Sequence, residues 1–179
     1  LHERIDAAGG VFGETAGWER PNWFANEGQA REYEYSYGKQ NWQDNMVAEC
    51  MGVREAVGVF DQTSFAKFVV KGPDALEVLN TISVANIDAP VGKAIYTQWC
   101  NRKGGIESDL TVTRTDEDAF FVVTAAAAEN RDLSWLKRAA RGRRIDIANV
   151  THHMAMIGLM GPNSRKVLAQ LTSAGLDNE

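Results

Sequence analysis

Apolar and polar residues alternate with a period of two through a central stretch of the chain, from Ala94 to Ala125. Three short runs in it, AIYTQWC, IESDLTVTR and AFFVVTA, are rich in β-branched and aromatic residues, and the breaks between them hold Gly, Asn or Asp. This pattern predicts three successive antiparallel strands. The middle strand then has two faces, one with Ile106, Ser108, Leu110 and Val112 and one with Glu107, Asp109, Thr111 and Thr113.

The segments on either side of this meander show helical and strand patterns in turn. The spacing predicts helices over Met46 to Ala56 and Ala128 to Ala140. Short strands are predicted at VGVFD, at Phe65 to Lys71 and, after the second helix, near 145–150 and 154–160. Helices and antiparallel strands therefore mix along one chain, which indicates an α+β fold.

One block of the sequence occurs twice. FVVKGPDALEVLNTIS, which begins at Phe68, recurs as IGLMGPNSRKVLAQLT, which begins at Ile157. Each copy reads as a strand, a Gly-Pro turn and an amphipathic helix, with proline in the first turn where no amide partner is lost. We infer a duplicated strand–Gly-Pro–helix–meander unit with antiparallel sheets, and the second unit is truncated because no second meander follows.

The duplication suggests how the chain divides. Residues 1–45 form a lead-in segment, residues 46–145 the first α+β unit, and residues 146–179 the start of a second, incomplete unit. The chain lacks an initial Met and stops at Asn178-Glu179, so both ends look cut. We therefore expect the helix at 163–172 to expose an apolar face (Val167, Leu168, Leu171) that packs on another copy of the chain or is poorly ordered.

Composition excludes several classes of protein. A net charge of −5 in 179 residues gives no sign of nucleic-acid binding, and no apolar run approaches the length of a membrane span. Cys50 and Cys100 lie far apart and outside any CxxC motif, which favours a reducing compartment. A metal site is not expected, because His152 and His153 are adjacent on a strand and so face opposite sides.

Asp109 is the strongest candidate for a functional residue. A four-residue loop, 101–104, would place Tyr96 directly across from Asp109, whereas a five-residue loop would place Thr97 there. Two adjacent glycines permit a bulge, so spacing does not decide between these registers. On the strand pattern alone, the polar face that carries Asp109 is expected simply to meet water.

Aromatic and basic clusters elsewhere each have two readings. The rings of the lead-in segment are interpreted as packing anchors, with a ligand box as the alternative. The basic run at the end of the helix predicted over Ala128 to Ala140 complements the helix dipole, or it docks a polyglutamate tail or an acidic partner. The first cluster includes Trp18, Trp23, Tyr33, Tyr35 and Trp42, and the second Lys137, Arg138, Arg141, Arg143 and Arg144.

Four blocks of the sequence resemble a known family. VREAVGVFD, KGPDALEVLN, YTQWCNRKGGIESDL and GLMGPNSRKVL match, in order and spacing, the folate-binding aminomethyltransferases, whose type member is the glycine cleavage T-protein. GWERPNWF in the lead-in segment is similar to the start of the C-terminal folate domain of dimethylglycine and sarcosine dehydrogenases. In those enzymes a flavin domain precedes it.

The resemblance implies a function and a site. It implies a tetrahydrofolate-binding domain that transfers a methylene or aminomethyl group to form 5,10-methylenetetrahydrofolate, in the bacterial cytoplasm or the mitochondrial matrix. FAD is expected only on an upstream domain, and we expect the isolated piece to be inactive. By motif position Asp109 is the catalytic residue and also contacts folate, together with Tyr96, Phe65 and Thr124.

Two other functions fit the same resemblance. One is a folate-binding module without transferase activity, as in the related iron–sulfur assembly factors. The other is a structural domain that docks a flavin dehydrogenase, which is compatible with transfer. Phe65 could simply be a half-buried strand residue, and Thr124 stands where T-proteins often carry Asn.

Overall fold

The predicted meander lies at one side of a five-stranded antiparallel sheet with the strand order β5-β6-β7-β4-β8. The structure, a computed structural model, describes residues 1–177. Residues 63–156 form one compact unit around this sheet. Its elements are β4 (Ala66–Lys71), α3 (Ala75–Ile82), β5 (Ala94–Cys100), β6 (Ile106–Asp116), β7 (Ala119–Thr124), a 3₁₀ turn (Ala126–Ala128), α4 (Glu129–Ala139) and β8 (Asp146–Asn149).

Helices α3 and α4 cover one face of this sheet. Leu79 of α3 and Leu136 of α4 are fully buried in a core with the inward-facing residues of β4, β6 and β7. Trp99 is fully buried as well, and its indole nitrogen donates to Ser83 Oγ at 3.1 Å. Each large apolar side chain buried in this way contributes about 1.5–3 kcal/mol, so the sheet is stabilised mainly from its helix side.

The other compact unit combines residues 1–62 with the chain from residue 157 onward. It holds two small antiparallel sheets, one pairing β1 with β2 and the other pairing β3 with β9. The elements are α1 (His2–Ala7), β1 (Gly10–Thr15), β2 (Trp18–Phe24), α2 (Gln43–Glu55), β3 (Gly58–Asp61), β9 (Ile157–Met160) and α5 (Ser164–Leu168). The sequence analysis assigned no helix or strand to the lead-in segment, and the structure has α1 and the β1–β2 hairpin there.

The two Gly-Pro blocks have the same surroundings. Gly72 and Gly161 both have positive φ, of 137° and 121°. A Cβ at Gly72 would collide with the carbonyl of Arg144, and one at Gly161 would lie 2.6 Å from the carbonyl of Ala56. Arg144 lies two residues before β8, the strand that pairs with β4. Ala56 likewise lies two residues before β3, the strand that pairs with β9. The duplication is therefore present in the backbone as well as in the sequence.

The pairing of strands shows how the repeats are connected. In the first repeat, β4 pairs with the later strand β8, which follows α4. In the second, β9 pairs with the earlier strand β3, which follows α2. The segment α2–β3 therefore supplies the strand that pairs with β9, just as the segment α4–β8 supplies the strand that pairs with β4. This α+β arrangement with antiparallel sheets confirms the fold class.

The predicted elements are recovered with different ends, and α2 begins at Gln43, earlier than the predicted Met46. The second Gly-Pro helix spans only Ser164–Leu168 instead of residues 163–172, and β9 begins at Ile157 instead of Met154.

Leu168 and Leu171 are exposed, as expected, while Val167 is half-buried. Self-association through this face stays a prediction, as do the domain boundaries at residues 45 and 145. Asn178 and Glu179 lie outside the described residues. No helix of residues 1–177 is long and apolar enough to cross a membrane.

Candidate functional site

Strand β6 presents Asp109 on the sheet face opposite to α3 and α4. Ser108, Leu110 and Val112 are buried on the helix side, while Asp109 between them is exposed. This is the alternation expected of a strand with one covered face. We call the face of the five-stranded sheet that carries Asp109 the open face.

The register of the β5–β6 hairpin differs from both alternatives. Gln98, and neither Tyr96 nor Thr97, lies directly across from Asp109. The loop has five residues, since Cys100 pairs with Ile106, but a bulge between Trp99 and Cys100 shifts the pairing by one more position. The Asn101 side chain shapes this loop, because its Oδ1 accepts from the amides of Lys103 and Gly105 at 2.9 and 3.0 Å.

Tyr96 nevertheless contacts Asp109. Tyr96 pairs with Thr111, so Asp109 is its diagonal neighbour on the open face, within reach of an aromatic side chain. The hydrogen bond from the phenol to the Asp109 carboxylate raises the pKa of Tyr96, and partial desolvation and the negative charge of Asp109 raise it further. The structure therefore brings the two predicted residues together through a geometry different from the predicted one.

Gln98 is a member of this group that the sequence analysis missed. It lies opposite Asp109 and alternates with Tyr96 on β5, so all three side chains share the open face. Its hydrogen bond to the phenol lowers the pKa of Tyr96, against the larger effect of Asp109. The signal available in the sequence was the period of two itself, since Gln98 is two residues after Tyr96.

The charge of Asp109 is not neutralised by a cation of the described residues. Among residues 1–177, no lysine or arginine forms an ion pair with it. Arg114 pairs instead with Asp88 at 2.9 Å, and the Lys67 ammonium donates to the carbonyls of Thr63 and Phe65 at 2.7 Å each. Asp109 is thus a carboxylate whose charge is available to a ligand.

Asp109 is not shielded from water within residues 63–156. Asp109 is exposed, and Tyr96 is 65% exposed. Both lie on a sheet face that α3 and α4 do not cover, so nothing in residues 63–156 removes them from water. Desolvation of this pair would have to come from a ligand or from protein outside that unit.

The other two predicted contacts, Phe65 and Thr124, belong to opposite faces of the sheet. Phe65 is half-buried at the start of β4, and the alternation along β4 assigns it to the open face. Thr124 pairs with Leu110 and is 2% exposed, which places it on the helix side. Its hydroxyl donates to Asp132 of α4 at 2.5 Å. Because the sheet separates Thr124 from Asp109, a direct contact of both with one ligand is not supported.

Asp132 of α4 binds side chains of β6 and β7 on the helix side of the sheet. Its carboxylate also accepts from Ser108 at 2.6 Å, and Arg131 Nε lies 3.0 Å from its second oxygen. Asp132 is 1% exposed, so this polar cluster is buried beneath the sheet. Among the described residues, no group of His, Cys, Asp or Glu has an arrangement that could hold a metal ion.

The fold and the open face define a class, a T-protein-type α+β domain with a carboxylate on its uncovered sheet face. The chain belongs to the family described as the GCVT N-terminal domain, whose model matches residues 1–179. It is similar to the crystal structure of aminomethyltransferase T of the glycine cleavage system from Bartonella henselae. The TM-score is 0.82 and the identity 25%, over 99% of this chain and 44% of that one.

Relatives of known name extend the comparison. The chain is 42% identical to the 4-methylaminobutanoate oxidase (formaldehyde-forming) of Paenarthrobacter nicotinovorans, over 100% of this chain and 22% of that protein. It is 33% identical to the mitochondrial dimethylglycine dehydrogenase of Homo sapiens, over 100% of this chain and 21% of that protein. The chain thus spans about a fifth of the length of these two relatives.

Proposed function

We propose that this chain is the tetrahydrofolate-binding part of an enzyme that transfers a one-carbon unit from an N-methylated amine. The observation that carries the proposal is the Tyr96–Asp109 pair, an unneutralised carboxylate hydrogen-bonded to a phenol on the open face. Family membership and the names of the relatives, an oxidase and a dehydrogenase of methylated amino acids, support the same reaction class.

The chemistry uses Asp109 as a proton acceptor. When an iminium carbon is captured by the two nucleophilic nitrogens of tetrahydrofolate, two new C–N bonds form and the bond to the donor amine breaks. One N–H proton goes to the leaving amine and one is released. A carboxylate near the folate nitrogens accepts the released proton, and it stabilises the cationic species on the way. The product is 5,10-methylenetetrahydrofolate.

Tyr96 orients the carboxylate and gives the planar pterin a surface to contact. Its phenol donates a hydrogen bond to the Asp109 carboxylate, whose remaining lone pairs can accept from a ligand. A bound pterin also supplies the desolvation that the chain itself does not provide at Asp109. Phe65, on the same face, stays a predicted contact, whereas Thr124 lies on the helix side of the sheet.

In the whole protein, we propose that a flavin-dependent dehydrogenase or oxidase domain produces the one-carbon unit that this domain captures. FAD belongs to that part of the proposal and to no residue of this chain. The compartment is the bacterial cytoplasm or the mitochondrial matrix, in keeping with the named relatives from a bacterium and from mitochondria.

A binding module without transferase activity is the second candidate, and the exposure of Asp109 favours it. An exposed carboxylate can accept a hydrogen bond from a ligand without acting as a base. On this alternative, the chain would hold tetrahydrofolate while Asp109 serves only as a hydrogen-bond acceptor. The two candidates differ in what the loss of the Asp109 charge does.

The test is Asp109→Asn with Glu107→Gln as its matched control. Glu107 lies two residues earlier on the same face and loses the same charge. In the whole protein, we expect Asp109→Asn to lower methylene transfer about 10²-fold or more, within the usual range for the loss of general acid–base help. Tetrahydrofolate affinity, measured by calorimetry, should fall much less, and Glu107→Gln should change neither.

Two outcomes would contradict the proposal. Transfer at the wild-type rate by Asp109→Asn would support the binding-only alternative. Equal losses in both variants would show that the general negative charge of the face matters, and not a base at Asp109.

A further inference from the structure

A concave site lies on the helix side of the sheet, away from Asp109. It has a volume of about 460 Å³ and is formed by α3, α4 and the β5–β6 loop. Val78 and Ile82 of α3 and Trp135 and Ala139 of α4 give it an apolar lining. This volume lies within the range of small-molecule sites, and predominantly apolar linings are typical of them.

Three arginines surround this apolar lining: Arg102, Arg138 and Arg143. Among residues 1–177, neither Arg102 nor Arg138 has a carboxylate partner, while Arg143 binds Glu77 at 2.9 Å. The helix dipole accounts for Arg138 in the last turn of α4, but it does not account for Arg102, which comes from the β5–β6 loop. Two different elements thus bring unneutralised cations to one cavity in a chain of net charge −5.

Trp135 adds an unused hydrogen-bond donor to this site. Its indole nitrogen is buried and has no acceptor among the described residues. Native proteins rarely leave a buried donor unpaired, so such a group calls for an explanation. The Arg138 guanidinium lies over the indole ring, 4.9 Å from its centroid, and the Arg138 side chain is exposed. The part of the site above the ring can therefore rearrange by a rotamer change of one surface arginine.

We infer that this arginine-rimmed pocket binds a small organic anion, a compound with a ring that carries a carboxylate or phosphate group. The ring would lie against Val78, Ile82 and Trp135, and the anionic group would meet Arg102 and Arg138. Guanidinium groups bind such anions through two parallel hydrogen bonds, which makes arginine suited to this role. Glu77 does not compete for these two arginines, because it pairs with Arg143 at 2.9 Å.

The basic run at the end of α4 thus divides into residues with different roles. Arg143 and Arg144 form ion pairs with Glu77 and Asp74, whereas Arg138 lines the pocket. Arg141 is exposed, belongs to the same run and does not line the pocket. This difference between Arg138 and Arg141 provides a matched pair of variants.

The test follows the indole N–H resonance of Trp135 in the 179-residue chain by NMR, with the resonance assigned from Trp135→Phe. Phenyl phosphate is the probe, and phenol and inorganic phosphate are its controls for the ring and the charge. We expect phenyl phosphate to shift the resonance saturably, at concentrations about tenfold lower than either control requires. Arg138→Gln should weaken the binding of phenyl phosphate about tenfold, the loss of one charge-assisted contact, and Arg141→Gln by less than about twofold.

The inference is overturned by any of three results: no saturable shift, phenol equal to phenyl phosphate, or equal effects of Arg138→Gln and Arg141→Gln. Arg138 is exposed, so its substitution leaves the fold intact, and the remaining resonances of the spectrum check this. The result does not depend on Asp109 or on folate.

Discussion

Replacing Asp132 by Ala should destabilise the five-stranded sheet by about 3 kcal/mol. The Asp132 carboxylate is 1% exposed and accepts hydrogen bonds from the Ser108 and Thr124 hydroxyls at 2.6 and 2.5 Å. These hydroxyls belong to β6 and β7, so one side chain of α4 links two neighbouring strands. Among the described polar groups, this is the cluster whose loss we expect to matter most for stability.

The expected loss of unfolding free energy follows from the two buried hydroxyls that Asp132→Ala leaves without an acceptor. Each buried hydroxyl that loses its acceptor destabilises by about 1–3 kcal/mol. The two hydroxyls lie 3.4 Å apart, so they can re-form one weak bond with each other and recover part of this. Ala also removes the desolvation penalty of a buried charge. Arg131 is 58% exposed, so its ion pair adds less than about 1 kcal/mol.

Urea unfolding followed by circular dichroism measures the effect, with amide hydrogen exchange of β6 and β7 to locate it. The control Arg131→Ala should cost less than about 1 kcal/mol. The triple variant Ser108→Ala, Thr124→Val, Asp132→Leu should recover most of the loss, because no buried polar group then lacks a partner. A cost under about 0.5 kcal/mol for Asp132→Ala, or a triple variant less stable than the single one, would refute the reasoning.

Three further predictions concern the Gly-Pro turn and the open face. Gly72→Ala should cost about 3 kcal/mol in urea unfolding, whereas Gly92→Ala, also at positive φ but with open space around it, should cost about 1 kcal/mol. The hydrogen bonds from Arg144 hold the pKa of Asp74 below its ordinary value of 3.8. The Asp74–Arg144 pair therefore stabilises the fold above pH 3.8, and this stabilisation is lost as the pH falls through the lowered pKa. Asp74→Asn should therefore lower the melting temperature at neutral pH, and the difference should vanish in acid. Gln98→Leu should raise the pKa of Tyr96 further above 10.0, as followed by NMR titration.

The sequence was sufficient for the repeat because both copies depend on local chemistry. A glycine at positive φ, a proline in the first helical turn and an apolar stripe all leave a pattern that can be read without the fold. The hairpin of β1 and β2 left no such pattern. Pro21 lies within β2, at a bulge opposite Val11 and Phe12, and the charged residues Glu19 and Arg20 interrupt the alternation.

The candidate site was predicted only in part, for reasons that depend on distant residues. Alternation along β6 placed Asp109 on the polar face, and motif position added Tyr96. The hairpin register depended on a bulge whose position spacing did not determine. The side on which Thr124 lies could be counted from the strand, but its bond to Asp132 of α4 could not, because it depends on how the helix packs.

The alternation of side chains along β6 places residues that stabilise the fold on one face of the sheet and the candidate functional residue on the other. Ser108 and Asp109 are neighbours in sequence, yet one bonds to Asp132 beneath the sheet and the other faces away from both helices. A defect on the helix side should therefore lower the free energy of unfolding without removing the carboxylate from its partner Tyr96. A defect on the open face should lower function without lowering stability, because no partner charge is left buried and unpaired. A sheet anchored by helices on one face can in this way keep an exposed, unneutralised carboxylate on the other, where a ligand can reach it.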